Sequence, residues 1–165
     1  RGCAVLGGVG DPRGICREGD LALLDLNVRL NGYWSDTTNT LRVGSGEPTD
    51  DQRRYARAAR EAFYTGAEAL RPGRRACDVY AAVQSALQAH GLELVHHAGH
   101  QIGAAVIEPP ELLPWDETVI EPGMVFSVEP GAYQGPGGTA GARMEKQVIV
   151  HASGPEVFCD FEWGL

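Results

Sequence analysis

The sequence has too few basic residues for a chain whose main partner is nucleic acid. Lys and Arg number 14 against 22 Asp and Glu, which gives a formal net charge of −8 at pH 7. Because phosphate binding requires a basic surface, this balance argues against nucleic-acid binding. The acidic excess does not by itself indicate an acidic site, since solvated acidic surfaces are common.

Long apolar runs and paired cysteines are also missing. No run approaches the ~18 apolar residues of a membrane-spanning helix, and no signal peptide is visible, so we expect no membrane association and a cytoplasmic location. The chain begins with Arg1, and we expect a fragment or a processed product. The cysteines are scattered without a Cys-x-x-Cys pair, which is typical of free thiols in a reducing compartment. They are Cys3, Cys16, Cys77 and Cys159.

The clearest local pattern is a β-hairpin near the start of the chain. Two strand-like runs, at 20–30 and 33–43, flank Asn31-Gly32. This dipeptide is preferred in two-residue type I′ turns, so it predicts an antiparallel pair of strands.

Two helices and further strands follow the hairpin. The first helix is predicted from Thr49, where a capping-box-like start precedes apolar residues at helical spacing. The second is predicted at 77–90, a short strand is predicted at 4–6, and stretches of strand and turn are predicted through 94–107, 124–133 and 143–150. We interpret residues 1–165 as a single α+β domain with its helices packed on one sheet.

The hairpin predicts that two aspartates lie close together. If Leu30 faces Tyr33, then Asp25 and Asp36 lie on the same side of the ladder as diagonal neighbours, with Cβ atoms about 5.5–8 Å apart. Two carboxylates this close within apolar strands would repel each other and lose hydration. A bound cation is our interpretation, and a solvated strand face is the alternative.

Other metal-binding residue types occur downstream. Three of the five histidines fall within five residues, at His96, His97 and His100. Glu129 follows an apolar run. Glu145 lies in a segment with apolar residues at both odd and even positions, so both faces of a strand there would be apolar. Four carboxylates with one or more imidazoles suit two divalent ions about 3.5–4 Å apart. The native ions would be Mn, Co, Fe or Zn.

Four segments, at 19–40, 96–103, 121–131 and 143–145, resemble the pita-bread metallopeptidases. That family includes aminopeptidase P, prolidase, methionine aminopeptidase and the non-peptidase creatinase. Arg143 before Glu145, and Glu-Pro-Gly at Glu129, favour the aminopeptidase P and prolidase branch. The resemblance implies a pita-bread fold, with a curved, mainly antiparallel sheet and helices on its outer face. It also implies that the N-terminal part of the domain is missing here.

The resemblance also implies a role for each metal ligand. Asp25 would chelate one ion, His100 and Glu129 would bind the other, and Asp36 and Glu145 would bridge the two.

The remaining implied roles concern catalysis and the substrate. Glu129 would move a proton from water to the leaving amine, while His96 and Arg143 would hold the substrate. His96 would also act in catalysis. The partner would be a small peptide or amide, which the protein would hydrolyse in the manner of an Xaa-Pro aminopeptidase or a prolidase. Whether the protein forms a homodimer is left open.

Two departures from the family pattern support other functions. Ile107 and Gly8 stand where the family has histidines that contact the substrate and stabilise the tetrahedral intermediate. Losing one preorganised donor lowers rates by about 10²–10³. One alternative is the same site used for creatinase-like C–N hydrolysis or a lyase reaction, and the other is a binding protein with weak turnover.

Overall fold

A computed structural model describes residues 15–135 and 140–165. The strand expected at 4–6 and the position of Gly8 lie outside these residues. Within them, no helix is both long and apolar enough to cross a membrane.

The predicted hairpin is confirmed. β1 (Leu21–Leu30) pairs with β2 (Tyr33–Arg42) in an antiparallel two-stranded sheet without a register shift. Asn31 has φ 51° and Gly32 has φ 95°, the two positive values that a type I′ turn requires.

Both predicted helices are present. α1 (Asp50–Ala69) begins with a capping box, in which the Thr49 hydroxyl accepts from the Gln52 backbone N–H at 3.2 Å. The Gln52 side chain in turn accepts from the Thr49 N–H at 3.0 Å. α2 (Ala76–Gln88) is slightly shorter than the predicted helix and is followed by Gly91 at φ 69°.

After α2, the residues that the structure describes form seven short strands. Five of them make one sheet in the order β4-β3-β5-β8-β9, and β6 pairs with β7 separately. The strands are β3 (Gly99–Gln101), β4 (Glu108–Glu111), β5 (Val125–Val128), β6 (Gly131–Tyr133), β7 (Gly141–Arg143), β8 (Lys146–His151) and β9 (Gly154–Val157). The stretches of strand and turn predicted at 94–107, 124–133 and 143–150 each contain strands that are interrupted by turns or loops.

The core lies between the helices and the sheet. Phe63 of α1 and Val83 of α2 are fully buried. A Cβ added at Gly66 would lie 2.7 Å from a Val83 methyl and 3.1 Å from a Val128 methyl. A residue without a side chain thus lets α1 approach both α2 and β5. The predicted α+β class is confirmed.

Candidate metal centre

The five predicted ligands come from five separate places in the fold. Asp25 lies on β1 and Asp36 on β2, while His100 lies on β3. Glu129 directly follows β5, and Glu145 lies between β7 and β8. The strand order places β3 and β8 on either side of β5, so the last three ligands meet at one region of the sheet.

The hairpin is attached to that region through β2. Asp25 faces Thr38 and Asp36 faces Asn27, as the turn predicted. The backbone carbonyl of Thr38 accepts from the Glu145 N–H at 3.2 Å. This contact brings the aspartates to the sheet.

Glu145 is a fully enclosed carboxyl, with a residue exposure of 1%. The hydroxyl of Thr38 donates to one of its oxygens, and Ser127 donates to the other at 2.6 Å. Burial, together with the nearby charges of Glu129 and Asp36, raises its pKa to about 8. In the metal-free protein the Glu145 carboxyl is therefore largely protonated at neutral pH.

Asp36 is buried too, and one of its oxygens is unsatisfied. Burial and the charges of Asp25 and Glu129 raise its pKa to about 7. Its Oδ1 atom has no hydrogen-bond partner among the residues that the structure describes. Buried polar atoms are normally paired, so this oxygen is available to a cation.

His100 points its Nε2 atom at these carboxylates. Its Nδ1 atom donates to the Gln101 carbonyl at 3.0 Å, and Nε2 lies 3.3 Å from Glu129 Oε1 and 3.7 Å from Asp36 Oδ2. One ligand atom each from Asp36, His100 and Glu145 lie within 4.8 Å of one another. Such a spacing suits a shared metal ion.

Gly99 allows β3 to lie close enough to β5 for His100 to reach this position. A Cβ at Gly99 would lie 2.1 Å from the Ser127 carbonyl oxygen, and the φ of Gly99 is +154°. A side chain here would push β3 away from β5, and His100 with it.

Asp25, unlike Asp36, is not buried. Its side chain is 42% exposed and forms an ion pair with Arg143. Asn27 also donates to Asp25 at 3.0 Å. Leu21 and Leu23, on the same side of β1, are also only half-buried, so this side of the hairpin is not a closed apolar surface. The positive group beside Asp25 is here a guanidinium.

Arg143 also contacts other parts of the site. Its Nε donates to the Thr38 hydroxyl at 3.1 Å, and its Nη1 lies 3.7 Å from Glu129 Oε2. In this arrangement the guanidinium holds protein carboxylates, and its predicted contact with substrate stays a prediction.

His96 lies at the side of the cluster. Its Nδ1 donates to the His97 carbonyl at 2.7 Å, and its Nε2 lies 3.4 Å from the Tyr133 hydroxyl. Burial lowers the pKa of His96, so its imidazole is neutral near pH 7. Tyr133 was not predicted from the sequence, and burial raises its pKa to about 12.

His97 was counted in the histidine cluster but given no role. Its Nε2 lies 2.9 Å from Glu129 Oε1, and its Nδ1 lies 2.9 Å from Glu111 Oε2. Burial opposes charge on His97, but these two carboxylates outweigh it and raise its pKa to about 9. Burial likewise acts to raise the pKa of Glu129, whereas hydrogen bonds from His100 and His97 hold it well below its ordinary value.

Ile107 lies on the loop between β3 and β4, and it is 51% exposed. It presents an alkyl group where the resemblance expects an imidazole. Gly8 lies outside the described residues.

The family comparison covers almost the whole chain. The sequence profile of metallopeptidase family M24 matches residues 2–152. The chain belongs to metallopeptidase family M24. The resemblance drawn from the sequence is thereby confirmed.

Curated M24 relatives include several dipeptidases. The chain is 42% identical over 145 residues to the "Probable dipeptidase PepE" of Mycobacterium tuberculosis, covering 84% of this chain and 36% of that protein. It is 35% identical over 150 residues to the "Xaa-Pro dipeptidase" of Pyrococcus furiosus, covering 87% of this chain and 42% of that protein. This M24 chain thus spans less than half the length of these relatives.

Solved structures of M24 proteins share the fold. The prolidase from Pyrococcus horikoshii OT3 has a TM-score of 0.88 at 30% identity, over 97% of this chain and 45% of that one. For the prolidase from Pyrococcus furiosus the TM-score is 0.82 at 32% identity, over 92% and 46%. The pita-bread fold expected for this M24 chain is confirmed.

Proposed function

We propose that this M24 chain holds a pair of divalent metal ions and supplies the catalytic site of a hydrolase that cleaves an amide or peptide bond. Xaa-Pro peptides are the proposed substrates. The observation that carries the proposal is the buried meeting of Asp36, Glu145 and His100, with their ligand atoms within 4.8 Å of one another.

The residues present fit divalent cations. Two enclosed carboxyls, Asp36 and Glu145, ionise only with difficulty in the metal-free fold, and Asp36 Oδ1 has no partner among the described residues. A cation would remove the repulsion and satisfy that oxygen. Carboxylate-rich sites with imidazole bind Mn, Co, Fe and Zn. The proposed ligands are Asp25, Asp36, His100, Glu129 and Glu145.

Bound ions of this kind supply Lewis acidity, which lowers the pKa of water and polarises a carbonyl. The chain's own residues would handle the protons and the substrate. Glu129 is 7% exposed and lies at the centre of the cluster, between His100 and Arg143, where it can accept a proton from water and pass it to the leaving amine.

Two other side chains would orient the substrate. His96 is neutral near pH 7 and has its Nδ1 fixed on a backbone carbonyl, so its Nε2 is the atom that can meet a substrate. Arg143 would provide positive charge beside Glu129. For Arg143 to contact substrate, its ion pair with Asp25 would have to give way when Asp25 binds metal.

The resemblance to relatives named Xaa-Pro dipeptidase and prolidase supports the choice of substrate. A second candidate is non-peptide chemistry at the same metal site. It is favoured by Ile107, whose exposed alkyl side chain offers no hydrogen-bond donor to a developing oxyanion. A panel of Xaa-Pro dipeptides and other amides separates the two candidates.

The test uses the intact protein, purified without chelator. Metal analysis is expected to find about two divalent ions per chain, and finding none would remove the hydrolase proposal. In the substrate panel, Asp36→Ala is expected to abolish turnover. Equal activity of the wild type and this variant would show that a contaminant was responsible. The homodimer and the cytoplasmic location stay predictions.

A further inference from the structure

Three imidazoles surround Glu129, and in each one the Nδ1 atom already has an oxygen partner. His96 Nδ1 lies 2.7 Å from the His97 carbonyl, and His100 Nδ1 lies 3.0 Å from the Gln101 carbonyl. His97 Nδ1 lies 2.9 Å from the Glu111 carboxylate. In all three residues Nε2 is therefore the atom left to bind something within the site.

His97 is held in the manner of a metal-binding histidine. Glu111 faces His100 across β3 and β4, and its backbone N–H donates to Asp116 at 3.1 Å, which fixes it beside His97. A histidine that binds a metal through one ring nitrogen usually donates a hydrogen bond from the other to a carboxylate or carbonyl, which fixes the orientation of the ring. His97 Nε2 indeed lies 2.9 Å from an oxygen of Glu129.

We propose that His97 is a metal ligand and that it forms, with His96 and Glu129, a cation position of two imidazoles and one carboxylate. One ligand atom from each of the three lies within 4.8 Å of the others. This position adjoins the carboxylate-rich group of Asp36, His100 and Glu145. Glu129 links the two, because its Oε1 atom lies 3.3 Å from His100 Nε2.

The chemistry of the donors indicates which ion this position takes. Two imidazoles and one carboxylate form a ligand set of zinc enzymes, in which a fourth position stays open. Manganese prefers oxygen donors, so it should bind here more weakly than zinc. The Tyr133 hydroxyl, 3.4 Å from His96 Nε2, makes only a long contact that a cation can displace.

This inference goes beyond the proposed function and changes one part of it. His97 has no role there, and with zinc bound the Nε2 atom of His96 would hold the ion in place of the substrate. The competing account is that a protonated His97 only holds Glu129 by a hydrogen bond. The two accounts differ in one measurable respect: metal binding depends on His97 in the first and not in the second.

The test measures zinc and manganese affinity of the intact protein by competition with a chromophoric chelator. Asp36→Asn weakens the carboxylate-rich group and serves as the background. In that background one zinc ion should still bind, and adding His97→Gln should weaken it about tenfold or more. Manganese affinity should change little.

His90→Gln is the matched control, because His90 pairs with Glu61 on the surface at 2.7 Å and is outside the site. It should leave zinc affinity unchanged. Glu111→Gln provides a second variant if His97→Gln does not fold. Its side chain is 40% exposed, and its substitution should weaken zinc about 10–100-fold.

Unchanged zinc affinity in folded His97→Gln and Glu111→Gln variants would overturn the proposal and leave His97 as a hydrogen-bond partner of Glu129. The proposed function fails by a different result. If Asp36→Asn binds the same number of ions as the wild type with the same affinity, the dinuclear site is wrong, whatever His97 does.

Discussion

Replacing Glu145 by glutamine should stabilise the metal-free protein at pH 8, although the same change should weaken the metal-bound protein. Glu145 is enclosed beside Asp36 and Glu129, and its pKa is raised from 4.5 to about 8. A carboxyl with a raised pKa gives its full contribution to stability below about pH 4.5, and that contribution is lost as pH rises towards 8. A glutamine at this position does not titrate, so its contribution to stability does not depend on pH.

The size of the effect follows from that pKa. Each tenfold change in an acidity constant corresponds to about 1.4 kcal/mol, so a pKa raised from 4.5 to about 8 makes the loss between pH 4 and pH 8 about 4 kcal/mol. This is an upper value, because Asp36 contributes part of the repulsion. We expect Glu145→Gln to raise the free energy of unfolding at pH 8 by about 2–4 kcal/mol.

The hydrogen bonds around Glu145 tolerate the amide. Its oxygen can accept from Thr38, and its NH₂ group can donate to Ser127. The Ser127 hydroxyl can then donate to the Asp36 carbonyl, 3.2 Å away. The substitution therefore keeps a partner for the amide oxygen and for one of the two amide N–H groups.

Denaturant unfolding with chelator present, at pH 4 and pH 8, measures the effect. Wild type and Glu145→Gln should be equally stable at pH 4 and differ at pH 8, and added metal should reverse the order. Glu117→Gln is the matched control, since Glu117 is 79% exposed and should change stability by less than about 0.5 kcal/mol. If Glu145→Gln is instead less stable than the wild type in chelator at pH 8, the buried Glu145 carboxyl does not cost stability there.

Three further substitutions test other parts of the structure. Thr38→Val removes the hydroxyl that bonds Glu145, so the free energy of unfolding should fall by about 1–3 kcal/mol, measured in denaturant; no change would contradict this contact. Gly99→Ala should weaken metal binding measured by calorimetry, because its methyl displaces β3 and His100; an unchanged affinity would count against the close approach. Gly66→Ala should lower the melting temperature through overpacking of about 1–3 kcal/mol between the helices; a raised melting temperature would contradict it.

The elements that the sequence predicted well are governed by local chemistry. Asn31-Gly32 determines the hairpin and its register because both residues accept positive φ. Thr49 and Gln52 start α1 through contacts three residues apart. Such signals are complete within a few residues, so they can be read without knowing the fold.

The strands that were not predicted are at the edges of the sheet. β4 contains Pro109 and Pro110, and β9 contains Pro155. Proline argues against a strand because it cannot donate to the ladder, but an edge strand tolerates it. Whether a strand lies at an edge depends on the whole topology, which a local pattern does not contain.

In the site, too, some features could be predicted from the sequence and others could not. Residue types and the resemblance pointed to Asp36, His100 and Glu145, whose ligand atoms lie within 4.8 Å of one another in the structure. The supporting contacts were not predicted, because Thr38, Ser127 and Glu111 are ordinary polar residues whose partners lie far along the chain. The partial exposure of Asp25 was missed for a related reason, since it depends on how the hairpin docks and on Arg143.

Anomalous diffraction at the manganese edge, from crystals of the intact protein grown with Mn²⁺, would locate the bound ions. Two peaks about 3.5–4 Å apart are expected, contacted by the side chains of Asp25, Asp36, His100, Glu129 and Glu145. A well-ordered site without peaks, in which Asp25 still pairs with Arg143, would contradict this expectation.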